Sequence, residues 1–355
     1  MPSSDAPRSP TGRIRFAAIG LNHGHVYAQV EDVVRGGGEL VAFHASEPEL
    51  AAEFARRFPA ARRAREEREI LEERSIPLIV SAAIPAERAP LAARAMQHGK
   101  DFMVDKPGAT TLDDLAELRQ VQARTGRIWA VWYGRLADRA LCRAADLVRA
   151  GAIGQVLQTI GLGPHRLDPA SRPPWFFEKP RYGGILCDLA SHQADQFLFF
   201  TGSKHFEVVA SQTANVNHPE HPGLEDFGDM LLRGDGGKGY ARVDWFTPGG
   251  LRTWGDGRFT ILGSDGFIEV RQNVDLAGRP GGNHLFLVDQ RETRHVDCRD
   301  QPLPAGAQLV ADVLDRTETA MSQAHCFLAT ELALRAQAAA ERIDLGVPPA
   351  GPKSK

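Results

Sequence analysis

Cysteine is scarce in this 355-residue chain. The four present (Cys142, Cys187, Cys298, Cys326) are scattered, and no two form a CxxC pair. That excludes both a disulfide framework and a zinc module. No apolar run reaches the roughly 18 to 20 residues that span a bilayer, so no transmembrane helix is expected. Neither sign of charge dominates, with 42 Lys and Arg against 45 Asp and Glu. The resulting net charge of −3 argues against nucleic acid or an anionic membrane as partner. The first twelve residues, MPSSDAPRSPTG, lack the apolar stretch of a signal peptide and carry no twin arginine. A polar tail without regular structure is expected over 1–12, and a cytoplasmic location for the whole.

Apolar residues make up 43% of the chain, enough for real cores, and the length favours two domains over one. Arg13 to Ile19 is a short apolar run that ends in Gly20. The stretch Gly20-Leu-Asn-His-Gly-His25 follows, then a helix-like segment to Arg35, three glycines, and a second apolar run from Glu39 to His44. Strand, glycine turn, helix and strand in this order open a dinucleotide-binding unit, with the pyrophosphate over the helix N-terminus. Against the pattern G-x-G-x-x-G, Gly20 fits, while Asn22 and His25 hold the other glycine positions. Asn22 is expected to keep the turn through left-handed dihedrals, and Gly24 to supply the close packing His25 cannot. His23 completes the loop. At the end of the second strand stand Ala45 and Ser46, where an acid would grip a ribose diol. No arginine stands beside them, so weak discrimination between NAD and NADP is expected.

Strand and helix signals then alternate to Trp132, which implies a doubly wound parallel sheet. Its ligands belong at the C-terminal ends of the strands. Ala83, Ile84 and Pro85 lie at one such end, and Asp105-Lys106-Pro107 at another. Further on, Tyr182 to Gln196 reads YGGILCDLASHQADQ and places Asp188, His192 and Asp195 at helical spacing, one face above another. A carboxylate one turn from an imidazole can orient it for proton transfer. The competing reading is a buried helix whose histidine is satisfied by its neighbours.

Between these motifs runs a proline-rich loop, Gly163 to Arg181, carrying His165, Arg166, Trp175 and Phe176. It borders a substrate pocket or forms a lid held by aromatic packing. From Phe206 to Asp289 strand-like runs alternate with glycine turns, the pattern of a mostly antiparallel open sheet. His218 and His221, in NHPEHP, lack further ligand spacing and read as a solvated loop. Ala307 to Ile343 reads as one long helix.

These motifs in this order resemble the Gfo/Idh/MocA oxidoreductases, named after glucose–fructose oxidoreductase and inositol dehydrogenase. That family carries a nucleotide-binding start, an E-K-P tripeptide, and a helix of pattern G-G-G-x-x-x-D-x-x-x-H. Here they read Asp105-Lys106-Pro107 and Gly183-Gly184-Ile185 through Asp188 to His192, and the resemblance runs from Ile14 to about Ile343. The departures are Asp for Glu at 105, Asn22 and His25 for glycines, Ala45 for an acid, and Arg88 where many members have His.

The resemblance implies an α/β protein: an N-terminal Rossmann-type domain over 13–133 and an α+β substrate and oligomerisation domain over 134–306. A helical segment, 307–345, would pack back near the first domain, with a tail at 346–355. It implies NAD or NADP as cofactor and a small sugar- or polyol-like substrate. The open sheet would make a homodimer or homotetramer. Catalysis would fall to His192 as proton acceptor, oriented by Asp188, with Lys106 on the same substrate oxygen or exchanging roles with the histidine. His165, Arg166 and Trp175 would border the substrate, and no metal is called for. Two alternatives stand beside hydride transfer: a non-catalytic binding relative, and lyase or hydrolase chemistry on a tightly held nicotinamide.

Overall fold

The computed structural model describes residues 13–345, so both tails named above lie outside the described residues. The chain forms two compact units. The first holds the chain to Gly108, Ala116–Trp132 and Pro304–Cys326. The second holds Ala109–Leu115, Tyr133–Leu303 and the chain from Phe327.

The first unit is built on alternating elements: β1 (Ile14–Ile19), α1 (His25–Arg35), β2 (Gly38–His44), α2 (Pro48–Arg57), β3 (Arg62–Arg63), α3 (Glu67–Leu71), β4 (Leu78–Ser81), α4 (Pro85–Gln97), β5 (Asp101–Asp105), α5 (Leu112–Thr125) and β6 (Trp129–Trp132). Its six strands are all parallel, in the order β3-β2-β1-β4-β5-β6. Every residue of β4 and β5 is buried, as expected of strands covered on both faces. The stretch 62–74, which reads as one charged helix, instead gives β3 and the short α3. Two exposed arginines on β3 place charge on the sheet edge, which discourages further pairing.

In the second unit come α6 (Arg139–Arg149), β7 (Val156–Pro164), α7 (Lys179–Tyr182), α8 (Ile185–Asp188), α9 (Ser191–Thr201), β8 (Phe206–Ala214), β9 (Phe227–Gly234), β10 (Lys238–Asp244), β11 (Arg258–Gly263), β12 (Gly266–Arg271), β13 (His284–Asp289) and β14 (Thr293–Val296). The chain closes with α10 (Ala305–Asp315), α11 (Gln323–Ala339) and β15 (Glu341–Arg342). Nine strands form one sheet, β14-β13-β12-β11-β7-β10-β9-β8-β15, antiparallel except at β7–β10 and β8–β15. One face of it is core. Leu141 and Ala144 of α6 and Phe200 of α9 cluster with Phe259, Ile261, Ile268, Val270, Leu285 and Leu287.

The single helix expected over 307–343 is two. Residues 316–322 contain no Gly or Pro to announce a break. Arg316 takes a left-handed φ of 56°, and the buried Asp312 carboxylate gathers the turn. It accepts from the hydroxyls of Thr317 and Thr319 and from the backbone N–H of Thr319 and Ala320. The segment 307–345 is therefore divided: α10 packs on α1 in the first unit, and the chain from Phe327 belongs to the second.

Candidate active site

The turn after β1 is pinned to its neighbours by backbone hydrogen bonds. Gly20 N donates to His44 O (3.1 Å), Ala82 N to Gly20 O (3.0 Å) and His23 N to Ala82 O (3.0 Å). Gly20 sits at φ 74°, and a Cβ there would stand 2.5 Å from that of Ala83, so no other residue fits. Asn22 does not adopt the left-handed conformation expected of it; among described residues only Asn283 and Arg316 do so without being glycine. Its side chain instead donates to Glu47 Oε1 at 2.6 Å. Gly24 caps α1 at φ −60° with nothing within 4 Å of a notional Cβ, so it provides open space and not close packing. Ala45 is buried and Ser46 exposed at the end of β2. One residue later stands a carboxylate, Glu47.

Three departures from the family pattern meet beside this turn. Asp105 is wholly buried at the end of β5 and receives His25 Nδ1 at 2.9 Å and Arg88 Nη2 at 3.1 Å. Arg88, 1% exposed, also spans four backbone carbonyls: Ala83, Asp105, Lys106 and Pro107. One guanidinium thus braces the Asp-Lys-Pro turn and the end of β4 together. Burial raises the Asp105 pKa, but the charges of His25 and Arg88 outweigh it and hold the carboxyl well below its usual range. His23 lies 3.6 Å from the same carboxylate. Burial first, then the His25 charge, draws it well below an ordinary imidazole.

His23, His25 and Asp105 have the mutual spacing of metal ligands, within 4.8 Å. However, the His25 N–H occupies His23 Nδ1 (3.2 Å), and Arg88 already supplies the cation. This is an ionic cluster. Ile84 and Pro85 start α4, and the buried Lys106 follows Asp105. The residues present therefore fit a dinucleotide: a left-handed glycine, an unobstructed helix start, and a carboxylate just past β2.

In the second unit the expected continuous helix is broken. α8 ends at Asp188, and α9 starts at Ser191, with His192 N reaching back only to Leu189 O (3.3 Å). Asp188, His192 and Asp195 therefore do not share one straight face. The start of α8 is fixed from outside. Glu225 Oε2 accepts from Ile185 N (2.9 Å), and Gln337 Oε1 from Leu186 N (2.8 Å). Gly184, at φ 92°, leaves the space that Gln337 fills. His192 Nδ1 accepts the backbone N–H of Gly134 at 3.1 Å. Asp195 is buried. It forms a buried, two-pronged pair with Arg135 at 2.8 and 2.9 Å, which anchors the turn carrying Gly134.

The proline-rich loop separates into struts and one exception. Arg166 Nη2 donates to the carbonyls of Pro248, Leu251 and Thr253, so it clamps another loop. His165 packs edge-on against Trp245 and Trp254, and Trp175 lies against Phe176. Arg172 was not singled out from the sequence. Its guanidinium lies over the rings of Phe176 and Trp245, 4.6 and 5.6 Å from their centroids. His218 is no solvated side chain: its Nδ1 pairs with the buried Asp226 at 2.9 Å, while His221 stacks on Phe177 at 3.7 Å.

Comparison with known proteins agrees with this geometry. Residues 14–133 match the model of an oxidoreductase family's NAD-binding Rossmann fold, and 142–269 that of the GFO/IDH/MocA C-terminal domain. A crystal structure from Erwinia carotovora atroseptica superposes with a TM-score of 0.91 at 45% identity, covering 93% of this chain and all of that one. The scyllo-inositol 2-dehydrogenase (NAD(+)) of Bacillus subtilis is 22% identical over 80% of this chain and 82% of its own. Levoglucosan dehydrogenase of Pseudarthrobacter phenanthrenivorans is 28% identical over 56% of this chain, and the match spans only 51% of that protein.

Removing the Arg88 guanidinium leaves a buried carboxylate without one of its two hydrogen-bonded partners, so Arg88→Met should cost about 3 to 5 kcal/mol. Lysine cannot reproduce the fork, and Arg88→Lys should recover little of the loss. Urea unfolding of Arg88→Met, Asp105→Asn and the double variant checks this. The double variant should lose less than the sum of the singles, and additive losses would show that the two side chains are not coupled.

Proposed function

Because the chain belongs to the Gfo/Idh/MocA family of NAD-binding oxidoreductases, we propose that it moves a hydride between a nicotinamide dinucleotide and a CH–OH carbon of a sugar- or polyol-like molecule. The names of the relatives support that substrate class. The observation that carries the reading is the turn at Gly20 to His25, shaped and left open for a pyrophosphate at the start of α1. The bound cofactor supplies the hydride chemistry; the protein orients the substrate and handles its proton.

Proton handling falls to Lys106, Asp188 and His192, the positions that match the family pattern. With Nδ1 accepting from Gly134 N–H, the neutral His192 ring carries its proton on Nε2, so it donates a hydrogen bond there. Accepting a proton at Nε2 would need the other tautomer, which turns an N–H against that of Gly134. The tautomer that accepts from Gly134 makes His192 a hydrogen-bond donor at Nε2, and the family pattern leaves Lys106 as the group that takes the proton. His192→Ala should lower kcat/KM by about 10²- to 10³-fold, as for one lost transition-state donor, while cofactor affinity and melting temperature hold. A variant that melts early yet turns over normally would make the histidine structural.

Glu47 decides the cofactor in this reading. A carboxylate just past β2 accepts from a ribose diol and repels a 2′-phosphate. Calorimetric titration should show tighter binding of NADH than of NADPH, with the ratio moving toward NADPH in Glu47→Ser. Equal affinities in the parent protein would remove Glu47 from that role, and no binding of either form would overturn the oxidoreductase reading.

The second face of the nine-stranded sheet supports self-association. Ile160, Leu231 and Leu262 point to it, exposed by 37 to 41%, and pairing with Tyr240, Thr260 and Gln158 sets them on that side. Light scattering should give a homodimer or homotetramer, which Leu231→Asp splits. A monomeric parent protein would sink the proposal.

A further inference from the structure

We propose that the substrate carries an anionic group, a carboxylate or a phosphate, and that Arg172 binds it; this deepens the oxidoreductase reading and rests on it. The second unit contains several guanidiniums in aromatic or buried settings, and their hydrogen bonds differ. Arg135 is paired on both prongs with Asp195, and Arg166 meets three carbonyls. Arg172 has neither kind of partner among the described residues, and its Nε is shielded from solvent without a hydrogen bond. What surrounds it is apolar on the flanks: the faces of Phe176 and Trp245, at 4.6 and 5.6 Å. Such rings attract a cation but cannot accept the in-plane N–H groups.

A guanidinium Nε held out of water with no acceptor is costly unless something else accepts from it. Its planar fork matches a carboxylate or phosphate. The position agrees with a substrate role. Burial pulls Arg172 below its ordinary pKa, and the largest charge acting against that comes from Asp188, the carboxylate of the family's D-x-x-x-H motif. The two share one unit without forming an ion pair. The loop itself is rigidly built: Phe176 stacks on Tyr182, and Tyr182 is bonded to Glu225 N at 2.9 Å. The guanidinium is therefore carried on a framed platform.

The test uses three open-chain probes of equal length: sorbitol, D-gluconate and sorbitol 6-phosphate. Each is titrated by calorimetry into the full chain loaded with NADH. Cofactor loading is measured first, so a protein that takes no NADH overturns the oxidoreductase reading separately. One of the two acids should bind at least about tenfold more tightly than sorbitol, consistent with a charge-assisted pair, and which one identifies the anion. The advantage should vanish in Arg172→Leu and persist in part in Arg172→Lys, both checked for unchanged NADH affinity as evidence of folding. The proposal is overturned if sorbitol binds as well as both acids, if neither acid binds at all, or if the advantage survives in Arg172→Leu.

Discussion

The first unit depends on the buried contact between Arg88 and Asp105. A carboxylate with no exposure at a strand end would ordinarily shed its charge, since desolvation penalises the ionised form. Here the guanidinium and the His25 ring make the ionised form the stable one. The same guanidinium accounts for carbonyls of Ala83, Asp105, Lys106 and Pro107. Backbone groups at the ends of two central strands, which the sheet cannot satisfy, are thus paired from one side chain. The direction in which Lys106 leaves β5 follows from that brace.

The second unit repeats the device with other partners. Asp195 holds Arg135, and Arg135 fixes the turn from which Gly134 N–H meets His192. Glu225 and Gln337 hold the first N–H groups of α8. Each of these acceptors is distant in sequence from the group it serves. The D-x-x-x-H motif is therefore not a self-contained helix. It consists of two short helical pieces, one tied at its N-terminus by the Glu225–Gln337 pair and the other through the Arg135 turn.

That explains what the sequence discloses and what it conceals. Periodicity and glycine turns disclose the parallel sheet, the open sheet and the strand-end position of Lys106, because these follow from local pattern. Gly20 was legible for the same reason, since a tight turn against Ala83 admits nothing larger. The break between α8 and α9 was not, because Leu189 and Ala190 are good helix formers and only the way His192 N meets Leu189 O reveals it. Nor was the break after α10, where Asp312 collects the donors of a stretch without Gly or Pro. Arg166 and Arg172 are six residues apart in one loop. Nothing in composition or spacing says that the first meets three carbonyls through Nη2 and the second meets none. Glu47 and Glu49 stand just beyond β2 in the sequence, but only the folded chain shows Asn22 donating to Glu47.

The departures from the family pattern at 25, 88 and 105 are best understood as one change. Arg88 places Nη2 on Asp105 Oδ2 while its Nη1 spans the carbonyls of the turn, and His25 takes Oδ1. Glutamate at 105 would carry the carboxylate one methylene farther into a space that Arg88 and His25 already fill. A glycine at 25 would leave Oδ1 without its ring partner in a fully buried setting, where an unmet acceptor costs about 1 to 3 kcal/mol. A neutral histidine at 88, with one N–H donor, could not serve the carboxylate and the four carbonyls together. Each residue is thus acceptable only beside the other two, and the eroded glycine pattern reflects a different way of closing the same strand ends.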